Sequence, residues 1–232
     1  MKNETIEAKE KVKGISLRLM IVWSITALLV FILYFLTHQL VLDKEGAFDM
    51  TVYEFLAGYT NSGNTKVFTF LTFFGSTKFL LPAYILLALY YIIFKKNNIR
   101  SFNIIAIGIT SIALLYAVKG IFKRPRPPHP LIENVSGFSY PSGHSFSAFT
   151  FCGILIYILW QSQLSKTWKY MGTVVLFLFA ASVALSRVYL HVHYASDVIA
   201  GFCLGALWLA LCIYILRRVN KEGELKKDPV VK

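Results

Sequence analysis

Residues 169–216 read KYMGTVVLFLFAASVALSRVYLHVHYASDVIAGFCLGALWLALCIYIL, two apolar runs parted by the polar stretch 186–197, SRVYLHVHYASD. Each run reaches about 20 residues, the length at which an α-helix crosses the hydrocarbon core of a bilayer. Both are continuously apolar and do not alternate with period two, which predicts helices and not the strands of a barrel. The same criterion carried outward finds six such segments, at 17–42, 77–94, 102–121, 143–161, 169–190 and 195–216. The expected fold is all-α, a polytopic membrane protein with six transmembrane helices plus short interfacial amphipathic helices.

Composition points the same way. The chain has 232 residues, 56% hydrophobic and only 16% charged, with a mean hydropathy of +0.58; a water-soluble globular enzyme does not carry so much apolar sequence. Disorder is disfavoured because the apolar residues form long runs and the prolines and glycines make no low-complexity tract. Cys152, Cys203 and Cys212 are odd in number and lie inside apolar stretches, as packing residues do, which argues against a disulfide framework or a cysteine zinc site. The first run is too long for a signal-peptide core and no small-residue cleavage site follows it, so it reads as a retained anchor. No repeat or linker divides the sequence, and residues 1–232 are expected to form a single membrane-embedded domain. Residues 43–75 mix aromatic side chains with Asp, Glu, Asn and Thr, a blend suited to short helices at the membrane surface. Such helices either lie as a lid over the bundle or border a lateral path for a lipid.

With six crossings, sixteen of the 24 Lys and Arg residues fall on the side that holds both termini and the loops 95–100 and 161–169. An excess of basic residues marks the cytoplasmic side, so both termini are expected there. The net charge of +12 then records topology and attraction to anionic lipid. Nucleic acid is a poor partner for a chain without a basic soluble domain, and no obligate protein partner is evident.

The basic residues on the other side are clustered. Lys119, Lys123, Arg124 and Arg126 fall within eight residues, and Arg187 ends the fifth run. Ionisable groups at membrane depth are costly and mark functional sites. His144 opens the fourth run in PSGHSF, while His193 and Asp197 stand at the head of the sixth. Two complete crossings separate the 119–144 region from 186–197, so the two share one face of the membrane whichever way the chain is oriented. Lys119, Arg126, Ser142, Gly143, His144, Ser186, Arg187, His193 and Asp197 can therefore converge.

Three cations and two imidazoles beside one carboxylate suit a multiply charged anion, above all phosphate. Arg126 and Arg187 offer planar forks and Lys119 a point charge. Ser142 and Gly143, just ahead of a helix, leave first-turn N–H groups free for an anion, with no side chain at Gly143 to block its approach. His193 and Asp197, four apart, share a helical face; a carboxylate on one ring nitrogen fixes the tautomer and frees the other as base or nucleophile. His144 can protonate the leaving oxygen. The residues thus suggest a phosphoryl transfer without metal, through a phosphohistidine that water then cleaves, and no cofactor is expected. Zinc at His191, His193 and Asp197 is disfavoured, since helical residues two apart diverge by about 200° and no further carboxylate is near. Lys123 and Arg124 read as supporting charge, and His38, His129 and His191 receive no role.

Lys119-x6-Arg126-Pro127, Pro141-Ser142-Gly143-His144 and Ser186-Arg187-x5-His193-x3-Asp197 together resemble the three-part signature of the type 2 phosphatidic acid phosphatase superfamily, which also holds vanadium haloperoxidases. All three parts are intact and lie in order over residues 119–197. The resemblance implies that His193 is the nucleophile, that Asp197 orients it, and that His144 protonates the leaving group. It implies that Lys119, Arg126, Ser142, Gly143 and Arg187 hold the phosphate, with no metal, at the extracytoplasmic face of a cell membrane. The activity it implies is that of an integral membrane lipid phosphatase acting on a phosphatidylglycerophosphate or phosphatidic-acid type lipid, or alternatively on undecaprenyl pyrophosphate. A non-catalytic lipid-binding or transport protein would not need His144, His193 and Asp197 together, and a haloperoxidase does not suit a transmembrane setting.

Overall fold

A computed structural model describes residues 2–42, 46–133 and 135–227; Lys44 and Lys232, counted in the charge asymmetry, lie outside the described residues. The chain forms α1 (Lys2–Leu36), which runs on through a π-helical stretch (Thr37–Leu42), then α2 (Ala47–Ala57), α3 (Ser62–Phe73), α4 (Thr77–Ile93), α5 (Asn98–Phe122), α6 (Gly143–Gln161), α7 (Lys166–Tyr189) and α8 (Ala195–Lys227). Among the described residues six stretches are long and apolar enough to cross a membrane: Leu19–Gln39, Ser62–Ile93, Asn98–Phe122, Gly143–Gln161, Lys166–Tyr189 and Ala195–Asn220. The chain is a multi-pass membrane protein. The second stretch is longer than the segment expected at 77–94 because α3, one of the two short helices, is itself apolar and leads into α4 through a bend at residues 74–76.

Local chemistry sets the ends that matter for the site. Lys123 ends α5 in the left-handed region at φ 47°, and Pro125, Pro127 and Pro128 follow; without N–H groups they cannot extend a helix. The chain therefore runs as an irregular loop until Ser142, whose Oγ accepts from the N–H of Ser145 at 3.4 Å and caps α6. No regular element interrupts that loop among its described residues.

At the centre α6 packs against both α7 and α8, while α4 pairs with α5, α1 lies on α8 and α3 on α7. Ala148 and Cys152 of α6 and Ala180 and Val183 of α7 form one buried cluster; small residues here let the helices approach closely, as membrane bundles do. The three cysteines are free and buried. Large apolar side chains point outward, Trp23 at 71% and Phe94 at 73% exposure, as suits helices solvated by lipid tails. Two glycines sit where backbones meet. A Cβ on Gly75, at the α3–α4 bend, would lie 2.6 Å from Val183 and 3.0 Å from Cβ of His144. One on Gly201 of α8 would lie 2.8 Å from the carbonyl of Ser142.

Candidate active site

The loop 123–142 and the turn between α7 and α8 meet at one end of the bundle. Leu131 N–H donates to the carbonyl of Leu190 at 3.0 Å, and Ser142 N–H to that of Asp197 at 2.9 Å. Ser142 and Gly143 thus stand beside the head of α8, and the ideal Cβ position of Gly143 lies 3.8 Å from Cε of Lys119. The regions 119–144 and 186–197 lie together, as parity requires.

His193 is 3% exposed. Its Nδ1 faces Oδ2 of Asp197 at 3.5 Å and Oγ of Ser139 at 3.2 Å, and Ser139 donates that hydroxyl to the same Oδ2. Its Nε2 lies 3.2 Å from Nη1 of Arg126. Burial pushes the imidazole down to about 3, against the hydrogen bond and negative charge of Asp197, so the ring is neutral at physiological pH.

The cations surround this ring. Nη1 of Arg126 also donates to the carbonyl of Val192 at 2.8 Å, its Nε to Gly137 at 3.0 Å and its Nη2 to Ser136 at 2.8 Å. Nζ of Lys119 donates to the carbonyls of Phe138 at 2.6 Å and Ser139 at 3.4 Å. Arg187 is buried, with Nη1 on Oγ1 of Thr72 of α3 at 2.6 Å and Nε making no hydrogen bond. His144 has Arg187, His193, Arg126 and Lys119 as its charged and titratable neighbours. The residues picked out along the sequence therefore converge, although Ser186 does not face the cluster with its hydroxyl, which donates to the carbonyl of Val183 at 2.6 Å.

Three residues escaped the sequence reading, at least in their part here. Arg124, read as diffuse supporting charge, is buried and bridges two carboxylates: Nη1 lies 2.7 Å from Oδ1 of Asp197 and Nη2 2.7 Å from Oδ2 of Asp49. Asp49, on α2 and 1% exposed, stood in the aromatic surface segment with nothing to set it apart. Ser139 read as one more polar residue of the loop. Counted together, Lys119, Arg124, Arg126 and Arg187 set four positive charges against Asp49 and Asp197. The surplus of two matches a phosphate monoester dianion.

His191 packs its ring on Tyr53 with centroids 4.2 Å apart, and no group of three His, Cys, Asp or Glu side chains that could hold a metal occurs among the described residues. Asp197 is engaged on both oxygens by Arg124, Ser139 and the N–H of Tyr194 at 2.9 Å.

A helical membrane bundle that gathers two imidazoles, a carboxylate and a ring of cations at one end belongs to the class of integral membrane proteins that handle phosphate. The sequence pattern of the PAP2 superfamily matches residues 100–221. Over 144 residues, 61% of this chain and 70% of the relative, the sequence is 33% identical to phosphatidylglycerophosphatase B of Bacillus subtilis. It is 29% identical over 164 residues to the undecaprenyl-diphosphatase of Sulfolobus acidocaldarius, covering 68% of this chain and 71% of that one. In fold it is similar to the crystal structure of a transmembrane PAP2-type phosphatidylglycerolphosphate phosphatase from Bacillus subtilis, with a TM-score of 0.75 over 89% of this chain and 98% of that one, at 24% identity. The chain belongs to the PAP2 superfamily and is a membrane phosphatase.

Proposed function

We propose that this protein hydrolyses the terminal phosphate of a lipid at the outer face of a cell membrane, by way of a phosphohistidine on His193. The observation that carries the reading is the polarity of that ring: Nδ1 toward Asp197 and Ser139, Nε2 toward the cations. In the first step Nε2 bonds to phosphorus while the bond to the lipid oxygen breaks, and His144 gives that oxygen its proton. Lys119, Arg126, Arg187 and the first turn of α6 at Ser142 and Gly143 hold the phosphoryl oxygens as charge shifts in the transition state. In the second step His144 takes a proton from water, whose oxygen displaces the imidazole and frees inorganic phosphate. Charge on the phosphoryl oxygens is met by these cations, and neither step is routed through a metal. Asp197 holds the Nδ1 proton in place and stabilises the imidazolium character that develops.

A lipid substrate is supported by an apolar groove of about 350 Å³ between α4, α5 and α6, lined by Leu80, Tyr84, Ile105 and Ile109. Of its lining residues, Gly75 lies against His144 and Ser147 one helical turn beyond it, so a tail in the groove would bring its headgroup to the imidazoles. A phosphatidylglycerophosphate or phosphatidic-acid type lipid is the leading substrate, the first of these being the one in the Bacillus relative's name. The undecaprenyl-diphosphatase among the relatives favours a second reading, a polyprenyl diphosphate, which presents the same terminal phosphate on one long chain. The charge asymmetry supports both termini in the cytoplasm and the site on the opposite face. Phosphate release by the purified protein from phosphatidylglycerophosphate, phosphatidic acid, undecaprenyl pyrophosphate and a soluble ester, with and without EDTA, tests the proposal. A lipid preferred over the soluble ester and indifference to EDTA are expected; release from the soluble ester alone, or loss of activity with EDTA, contradicts it.

A further inference from the structure

We propose that Arg124, anchored by Asp49, is a positioning residue that sets the orientation of Asp197 and through it that of His193. The inference rests on the phosphatase reading above. Nη1 of Arg124 donates to Oδ1 of Asp197 at 2.7 Å and to Oγ of Ser196 at 2.8 Å, and Nη2 donates to Oδ2 of Asp49 at 2.7 Å. Asp49 then receives the N–H of Ser196 at 2.9 Å and its hydroxyl at 2.6 Å. The guanidinium lies over the ring of Tyr194, 4.4 Å from its centroid. Arg124, Asp197 and Asp49 are 9%, 0% and 1% exposed, so these charges hold one another without help from bulk water.

The division of labour on Asp197 is what gives this arrangement a consequence for chemistry. A carboxylate can turn about its terminal torsion and exchange its two oxygens. Arg124 pins Oδ1, which leaves Oδ2 for Ser139, for the N–H of Tyr194 and for the face of His193. Without that pin the carboxylate is held through Oδ2 alone and can turn, and the ring loses the fixed partner that keeps its proton on Nδ1. Asp49 supplies the other half of the fork, from a helix that precedes Ser196 by 147 residues. The surface helix α2 is thereby tied to the catalytic turn. Only a planar, two-pronged cation spans two carboxylates in this way; lysine cannot.

The test uses the full chain in detergent micelles, with phosphatidylglycerophosphate, phosphatidic acid or undecaprenyl pyrophosphate, whichever the wild type turns over fastest. Arg124→Lys and Asp49→Asn should each lower kcat by about 30-fold or more through misplacement of the nucleophile, with KM and inhibition by orthovanadate within about threefold of wild type. The double variant should be no worse than Arg124→Lys, because both act through one contact. The other groups around His193, which are Arg187 on α7, Arg126 in the loop and His144 on α6, are untouched by these substitutions. Activity is counted per folded protein eluting as a single species; should Arg124→Lys fail to fold, the near-isosteric Asp49→Asn carries the test. A kcat within threefold of wild type, or a loss confined to KM and vanadate affinity, overturns the inference. A wild type that releases no phosphate from any of the three lipids overturns the phosphatase reading instead.

Discussion

Nη1 of Arg126 lies 3.2 Å from Nε2 of His193. A guanidinium offers only N–H donors, so the ring nitrogen that faces it is the unprotonated one. The ring proton accordingly sits on Nδ1, toward Ser139 and Asp197, and the lone pair points into the cluster of cations where a phosphate would bind. A histidine fixed this way needs no proton removed before it attacks.

His193→Ala is expected to lower phosphate release by about a thousandfold or more. Orthovanadate should still bind the variant, because the cations that hold the anion remain. Turnover within tenfold of wild type, measured on protein that stays monodisperse, would remove His193 from the nucleophile's place.

Arg187 is buried with Nη1 on Thr72 and Nε making no hydrogen bond, an arrangement that leaves one edge of its fork for an anion. Arg187→Lys keeps the charge and loses the fork, so kcat/KM should drop by about 10- to 100-fold. Thr72→Val removes only the hydroxyl that steers the arginine, and a smaller loss of about three- to tenfold is expected. Steady-state kinetics on both variants check the order; a larger effect at Thr72 would contradict it.

An unfolded imidazole takes up its proton near 6.5, whereas burial holds folded His193 down at about 3. Between those values the unfolded chain binds a proton that the folded chain does not. The contribution of this group is therefore constant above 6.5 and declines as pH falls toward 3, with a limiting slope of about 1.4 kcal/mol per pH unit. His193→Gln removes that proton, and its thermal midpoint should fall less steeply with acidification than that of the wild type. Equal slopes would mean that folded His193 protonates as an exposed histidine does.

Gly201 brings α8 against the carbonyl of Ser142, with only 2.8 Å for an added Cβ. Gly201→Leu should push apart the helix that carries Asp197 and the one that begins at Gly143, and close-packed interiors absorb such volume poorly. A loss of about tenfold or more in kcat is expected even where the protein still inserts. Full activity in Gly201→Leu would show that the two helix ends tolerate separation.

Much of this molecule was legible along the chain because the bilayer writes a strong signal: runs of about 20 apolar residues can be little else than spans. The convergence of His144, His193 and the cations followed from counting crossings, without any contact being known. The helix expected at 77–94 is α4, Thr77–Ile93, but α3 before it is apolar too and only a bend at Gly75 parts them, so by composition the two read as one stretch. Asp49 was out of reach for a different reason. A lone aspartate in an aromatic surface segment has no period and no motif, and its worth comes entirely from a tertiary bond to Arg124. Ser139 was hidden in the same way, since a loop serine declares its partners only once the loop is folded. Arg124 carried a signal that charge alone misdirected: its neighbours Arg126 and Lys119 surround the anion site, while it balances carboxylates.

The covalent step is tested most directly by the stereochemistry at phosphorus. Hydrolysis of a lipid phosphorothioate, made chiral at phosphorus with two oxygen isotopes, in water of the third isotope should give chiral inorganic thiophosphate with retained configuration, because attack by His193 and then by water inverts the centre twice. Inversion would mean that water attacks the lipid phosphate in one step and that no phosphohistidine lies on the path.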